Sequence, residues 1–242
     1  MFDLLINDED DESHALPRAE PVKAPSKPAE SKASAPVPVS APAPAPAKTM
    51  DTETMQRKIK GMIDEYTSIK DDMEFVECFK ELGEDNFQLA VFEIANNLMD
   101  RRYSHTEQVA KGMRALRINN VLSEDTAVAG LAEYSELLED MAIDAPNAYK
   151  FFGILVASVR VPLTRVAEAL GDLATNVAAS QPPAMPIVCA YIKHCVEVEG
   201  EDRMRDAVAE AKFDVAKFLG KDSAVPSALK SNELLSLFPQ LA

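Results

Sequence analysis

The stretch Met55-Gln56-Arg57-Lys58-Ile59-Lys60-Gly61-Met62-Ile63-Asp64-Glu65-Tyr66 decides the fold class. Its apolar residues at 55, 59, 62, 63 and 66 recur at helical spacing, so they line one face of a helix and leave the charges on the other. Phe75, Cys78, Phe79 and Leu82 make a second such stripe, and Asp71 or Asp72 stands where an N-cap is needed between the two. No segment from residue 51 onward alternates with a period of two between turn signals, which removes the strand alternative. The body is therefore expected to be all-α.

Working outward, residues 87–99 are apolar nearly all round (Phe87, Leu89, Ala90, Val91, Phe92, Ile94, Ala95, Leu98), as in a central helix packed on several sides. Val109, Met113 and Leu116 make a fourth stripe. A fifth helix is expected from Ser123, capped by its hydroxyl with Glu124 and Asp125 favoured in the first turn, and with a core face of Val128, Leu131, Leu138 and Met141. A sixth is expected to begin at Pro146, whose missing N–H is harmless in a first turn, to continue through Tyr149, Phe152, Val156 and Val159, and to stop at Pro162. Leu163, Val166, Leu170 and Leu173 form a seventh stripe. After Pro182-Pro183 come Val188, Tyr191, Ile192 and Cys195, and then a ninth helix along Met204, Ala207, Val208, Ala211, Val215 and Phe218. Leu234 to Phe238 either pack as a last turn or stay exposed. Short links between amphipathic helices force antiparallel neighbours, so the expected architecture is stacked antiparallel helix pairs, HEAT-like, without a strict sequence repeat.

Composition divides the chain near residue 50. Residues 15–48 hold nine of the sixteen prolines and ten alanines, and no Phe, Tyr or Trp lies between Phe2 and Tyr66. Such a stretch buries too little apolar surface to offset about 1–2 kcal/mol of backbone ordering per residue. Residues 1–50 are accordingly expected to be a disordered arm, an acidic head followed by a Pro/Ala-rich tether. Residues 51–178 then make the main helical domain, and residues 179–242 additional C-terminal helices packed on it or following it.

The 40 acidic and 25 basic side chains leave a net charge of −15 and a pI near 4.7. A surface of that sign repels nucleic acid and anionic lipid, and its natural partners are basic. No apolar run reaches the roughly 18–20 residues a membrane span requires, and the acidic N-terminus is unlike a signal peptide, so a cytoplasmic protein is expected. Cys78, Cys189 and Cys195 are odd in number and show no CxxC spacing, which suits a reducing compartment.

Catalytic and cofactor signatures are missing. The eight glycines stand singly, so no glycine-rich loop exists to cradle phosphates. His14, His105 and His194 are the only histidines. Cys189 and His194-Cys195 come nearest to a cluster, and they read as helix packing rather than as a metal site. No Ser or Cys sits in a nucleophile elbow. Neither enzymatic activity nor a cofactor nor a metal is expected.

What stands out is charge placement. Between Arg117 and Lys150 the chain carries seven acids and no base. Four of them, Glu133, Glu136, Asp140 and Asp144, are spaced so as to lie along one helix face or its immediate continuation. Like charges at that spacing repel by about 0.2–0.5 kcal/mol per pair on an isolated helix. Such a face is either simply solvated or set to receive cations.

Two blocks carry a family resemblance. Leu137-Leu138-Glu139-Asp140-Met141-Ala142-Ile143-Asp144-Ala145-Pro146, with Tyr149 and the helix Phe151 to Val159 behind it, resembles the central signature of the MA3 domain found in eukaryotic initiation factor 4 gamma and programmed cell death protein 4. Lys58-Ile59-Lys60-Gly61-Met62-Ile63-Asp64-Glu65-Tyr66, followed by Glu74, Cys78 and Glu81-Leu82, is similar to the opening helix hairpin of the same family. The resemblance covers about residues 51–165. It implies stacked helix pairs and docking onto the DEAD-box helicase initiation factor 4A, hence a translation-initiation regulator or scaffold. By the family's pattern Asp140 and Asp144 are the acidic pair that meets basic residues of the helicase, with Pro146 shaping the loop. Glu136 joins them from the helical spacing.

Two weaker signals complete the sequence. Met1 to Asp11, with Phe2, Asp3, Leu4 and Leu5 ahead of an acidic run, is similar to the opening motif of ribosome-dormancy factors related to plasminogen activator inhibitor RNA-binding protein. That implies a docking peptide and the alternative of a ribosome-associated adaptor, with the ribosome or initiation complex as partner. Arg101-Arg102, Lys111, Arg114 and Arg117 cluster N-terminal to the acidic window, and they read as solvated helix ends and ion pairs rather than as a direct RNA-binding surface.

Overall fold

In the computed structural model of the chain, residues 50–166, 184–218, 225–231 and 233–238 are described. Asp51 opens α1 (Thr52–Ile69): its extended backbone turns the carboxylate back to accept from the Thr54 N–H at 2.9 Å. Asp71, rather than Asp72, does the same for α2 (Asp72–Lys80), accepting from Met73 and Glu74, while Asp72 accepts the Tyr66 hydroxyl. A 3-10 turn at Glu84–Asn86 leads into α3 (Phe87–Met99), followed by α4 (Tyr103–Ile118). Ser123 caps α5 (Glu124–Ser135) through the Thr126 N–H at 3.0 Å. Then come α6 (Leu138–Asp144), α7 (Ala148–Ser158), a helical turn at residues 163–166, α8 (Ala184–Glu199), α9 (Glu201–Glu210) and α10 (Val225–Ser231). No strand occurs among the described residues.

The helices stack in two rows. α1 packs on α3 and α3 on α5, while α2 packs on α4, α4 on α7 and α7 on α8. α1 also touches α4, and α3 touches α7, so the rows close on each other over a single run of buried side chains from Met55 to Phe238. This is the expected all-α stack of helix pairs. α3 and α7 are the central members, and every residue from Phe151 to Ser158 is buried. Neighbours within a row approach closely where one helix carries glycine. A Cβ on Gly130 would lie 2.6 Å from the Gln88 carbonyl oxygen of α3, and one on Gly153 would meet the Ile187 carbonyl and sit 2.9 Å from Ala190 Cβ of α8. Polar ties fix α8 further: the Tyr191 hydroxyl donates to the Val161 carbonyl at 2.7 Å, and Glu199 receives Arg114, Arg160 and Arg203 at 3.0, 3.7 and 3.1 Å.

Four helix ends share one device that glycine signals could not reveal. After α4, α7, α9 and α10 the residues Asn120, Arg160, Lys212 and Glu233 adopt left-handed φ between 48° and 59°. The next residue then donates back to the third helical residue from the end: Val121 to Leu116, Val161 to Val156, Phe213 to Val208, and Leu234 to Leu229. This is the Schellman closure, normally built on glycine, and in each case both residues of the long bond are apolar and wholly or partly buried. Burial of that pair offsets the roughly 1–2 kcal/mol a side chain loses in the left-handed region.

Several expected boundaries shift. The fifth helix does not run from Ser123 through Met141. It breaks after Ser135, where the Leu137 N–H closes a three-residue turn on the Tyr134 carbonyl, and α6 starts anew at the buried Leu138. Val128 and Met141 end half-buried rather than in the core. The sixth helix begins at Ala148, not at Pro146, and stops at the Arg160 turn, ahead of Pro162. The ninth stripe is two elements, α9 and a 3-10 turn at Val215–Phe218, separated by the Lys212 closure. Leu234, Leu237 and Phe238 pack into the core, resolving the open alternative for the last segment. The arm at residues 1–49, Leu170, Leu173, Pro182-Pro183 and the boundary at 178 lie outside the described residues.

A pair of glycine substitutions tests this packing. Gly153→Val is expected to lower unfolding free energy by about 1–3 kcal/mol through overpacking of α7 on α8. Gly61→Ala, in mid-α1 with nothing within 4 Å of the added carbon, is expected to raise it by about 0.5–1 kcal/mol. Urea denaturation followed by helical circular dichroism reads both.

Candidate functional site

The exposed turn α5–α6–α7 gathers the acidic residues. Two backbone constraints shape it. Ala145, ahead of Pro146, is extended (φ −115°, ψ 90°), because the proline ring disfavours the helical region for the residue before it. α6 therefore ends at Asp144, with the Ala145 N–H bonded to the Met141 carbonyl at 2.9 Å. Chain direction then reverses through Pro146 and Asn147, whose carbonyl accepts the Phe151 N–H at 2.9 Å and starts α7. On the inner side, Leu138 is buried and Met141, Ala142 and Ala145 pack half-buried against the core, where Tyr134 is wholly enclosed.

On the outer side Glu136, Glu139, Asp140, Asp144 and Pro146 are all exposed. Glu136 caps the end of α5, and Asp140 and Asp144 lie on α6. The four-residue ladder is thus not one helix face: Glu133 belongs to α5, where Gln88 Nε2 donates to it at 3.1 Å, and the other three continue beyond the break. Among the described residues no hydrogen bond or ion pair engages the side chains of Glu136, Asp140 or Asp144. Two aliphatic side chains that the spacing argument did not single out lie with them, Leu137 at 43% and Ile143 at 79% exposure. A large, almost fully solvated isoleucine between two unpaired carboxylates is not what solubility demands. The signal for it was in the sequence, as the apolar residue of α6 that falls off the Leu138–Met141 face.

The basic cluster behaves otherwise. Arg101 pairs with Asp64 at 2.6 Å and also donates to Asn97; Arg114 pairs with Glu199; Arg117 donates to the Val159 and Leu122 carbonyls at 2.9 and 2.7 Å. All three are half-buried structural ties, leaving Arg102 and Lys111 exposed on their own. The cysteines and histidines do not converge either. Burial pushes the Cys189 and Cys195 thiols up to about 11 and about 12, away from ligand character. No group of three His, Cys, Asp or Glu that could hold a metal occurs among the described residues, and no described helix is long and apolar enough to cross a membrane. Phe2, Asp3, Leu4 and Leu5 lie outside the described residues.

Fold and surface together define a helical-repeat chain that presents unpaired carboxylates and bare aliphatic side chains on a rigid turn. Residues 55–161 match the family model of the MA3 domain, and the matched segment contains the whole turn. The chain is 33% identical over 113 residues to eukaryotic translation initiation factor 4G of Oryza sativa subsp. japonica, covering 46% of this chain and 6% of that protein. It is 28% identical over 104 residues to MA3 domain-containing translation regulatory factor 3 of Arabidopsis thaliana, covering 43% and 15%. With eukaryotic translation initiation factor 4 gamma 1 of Oryctolagus cuniculus it shares 26% over 212 residues, 76% of this chain and 15% of that one. The chain thus spans only a small part of the length of these relatives.

His194 supplies a pH test of the body that carries the site. It is 8% exposed, and burial, with Arg114 adding to it against Glu197 and Glu107, holds its imidazole below the ordinary 6.5. The unfolded chain then binds a proton where the folded chain does not, so stability is intact above that value and falls as pH drops through it. The urea midpoint is expected to decline from about pH 7.5 to about pH 5.5, and His194→Phe to flatten part of that decline.

Proposed function

We propose that the chain is a cytoplasmic, non-catalytic regulator or scaffold of translation initiation that docks onto the DEAD-box helicase initiation factor 4A through Glu136, Asp140, Asp144 and Pro146. The observation that carries the reading is the α6 turn within the segment matching the MA3 model, with exposed carboxylates that have no partner among the described residues and with Ile143 bare beside them. The relatives named as translation initiation and translation regulatory factors supply the process, and the family resemblance supplies the helicase.

Docking in this scheme is electrostatic at its edge and apolar at its centre. Carboxylates at 136, 140 and 144 meet Lys and Arg side chains, which fixes orientation and speeds encounter. Ile143 and Leu137 add desolvated contact, the share of an interface that most often carries affinity. Because the turn is held by Leu138, Ala145-Pro146 and the start of α7, little conformational freedom is lost on binding. No charged group of the turn is needed for the core, so its variants report on the interface.

Calorimetric titration of the full chain with purified initiation factor 4A at two salt concentrations tests this. Saturable binding that weakens with salt is expected. The Asp140→Lys, Asp144→Lys double variant is expected to weaken it by about thirtyfold, ~2 kcal/mol, with helical circular dichroism unchanged. Absence of binding by the unaltered chain, or equal binding by the variant, rejects the reading.

A further inference from the structure

A second surface combines exposed apolar groups with acids, at the opening hairpin. Ile69, the last residue of α1, is 59% exposed, and Met73, in the first turn of α2, is 53% exposed. They stand four residues apart across a turn that is fixed from three directions. Lys70 is held in the left-handed region with its N–H on the Tyr66 carbonyl at 2.8 Å. Asp71 caps α2 through two backbone N–H groups, and the Tyr66 hydroxyl donates to Asp72 while its ring lies 4.5 Å from that of Phe75. Exposure of both side chains is therefore a property of a rigid turn.

A shallow cleft opens beside Ile69, with Met62, Tyr66 and Phe75 in its floor and Glu65, Glu74 and Cys78 at its edge. Charge there is one-sided: Glu65, Asp71 and Glu74 are exposed around the cleft, with Lys70 the base of the turn. Cys78 senses this field, since after burial the largest effects raising its thiol above the usual value come from Glu74, Glu65 and Glu81. Isoleucine and methionine are poor choices for a solvated turn and good ones for an adaptable contact.

We propose that the α1–α2 turn is a docking surface for a basic amphipathic helix of a partner protein. Such a helix is the simplest element that presents Lys or Arg to Glu65 and Glu74 and, on the adjoining face, aliphatic side chains to Ile69 and Met73. Docking here does not depend on the α6 turn or on the helicase reading.

The probe is a synthetic helical peptide of roughly 16 residues with Lys on one face and Leu on the other, beside a charge-matched peptide with Ser for Leu. Full-length chain is titrated with each by calorimetry, and Cys78 alkylation by N-ethylmaleimide is followed by mass spectrometry. The Lys/Leu peptide is expected to bind, to slow Cys78 labelling, and to bind about tenfold more weakly when Leu is replaced by Ser. Ile69→Ser, Met73→Ser and, separately, Glu65→Lys, Glu74→Lys are each expected to weaken binding about tenfold, while Asp140→Lys, Asp144→Lys leaves it intact. Equal affinity for both peptides, unchanged Cys78 labelling, or loss of binding only in the 140/144 variant overturns the proposal.

Discussion

Burial of α7 from Phe151 to its end is the constraint on which the other elements depend. From Phe151 to Ser158 no residue faces solvent, so neighbours must cover the helix on every side: α3 and α4 from the N-terminal rows, α6 from its own start, and α8 beyond. Contact that close requires Gly153 where α7 meets the backbone of α8. It also requires a short, sharp entry, because a chain arriving along the helix axis would leave no room for α6. Ala145-Pro146 provides that entry, and the same reversal puts the acidic segment on the outside. The rigidity of the candidate site and the joining of α8 to the segment matching the MA3 model are thus two consequences of one buried helix.

Much of this was legible because burial has a period. The stripes at Met55 to Tyr66 and Val109 to Leu116 are buried as spaced, the stripe at Phe75 to Leu82 is buried except for the half-buried Cys78, and Asp51, Asp71 and Ser123 cap where short polar side chains precede an apolar run. Boundaries were less legible for a specific reason. The stops at Asn120, Arg160, Lys212 and Glu233 rest on left-handed residues that carry side chains, and their cause lies in the apolar residue that follows and must reach the core. A stripe such as Met204 to Phe218 keeps helical spacing across such a stop, so periodicity alone reads through it. The break at Glu136–Leu137 is of the same kind: Leu138 and Met141 continue the pattern of Leu131 while the backbone turns.

For the site, residue types were legible and their company was not. Seven acids without a base between Arg117 and Lys150 are plain in the sequence. That Glu133 is taken by Gln88 and that Ile143 is nearly bare depend on the direction of α6, which follows from tertiary packing. The basic cluster illustrates the converse. Arg101, Arg114 and Arg117 look like a patch in sequence, yet each is used up by a carboxylate or carbonyl brought from a distant element.

The charge pattern of α6 carries a final consequence. Glu139 and Asp140 in its first turn are favoured by the helix dipole, but Asp144 sits at its C-terminal end, where a negative charge is disfavoured, and lies one turn from Asp140, which repels it. Each effect amounts to some tenths of a kcal/mol, and neither is relieved by a partner among the described residues. A lysine at 144 would satisfy both the dipole and Asp140. Local stability therefore favours the opposite charge at the position where the chain carries an acid. A cation arriving from outside would remove the repulsion and the unfavourable dipole contact together, so part of its binding energy comes from strain already present in the free turn. That coupling of a small local penalty to an external cation is the physical difference between this turn and the ordinary acidic faces of α5 and α9, where Arg165 and Arg205 from within the chain already supply the positive charge.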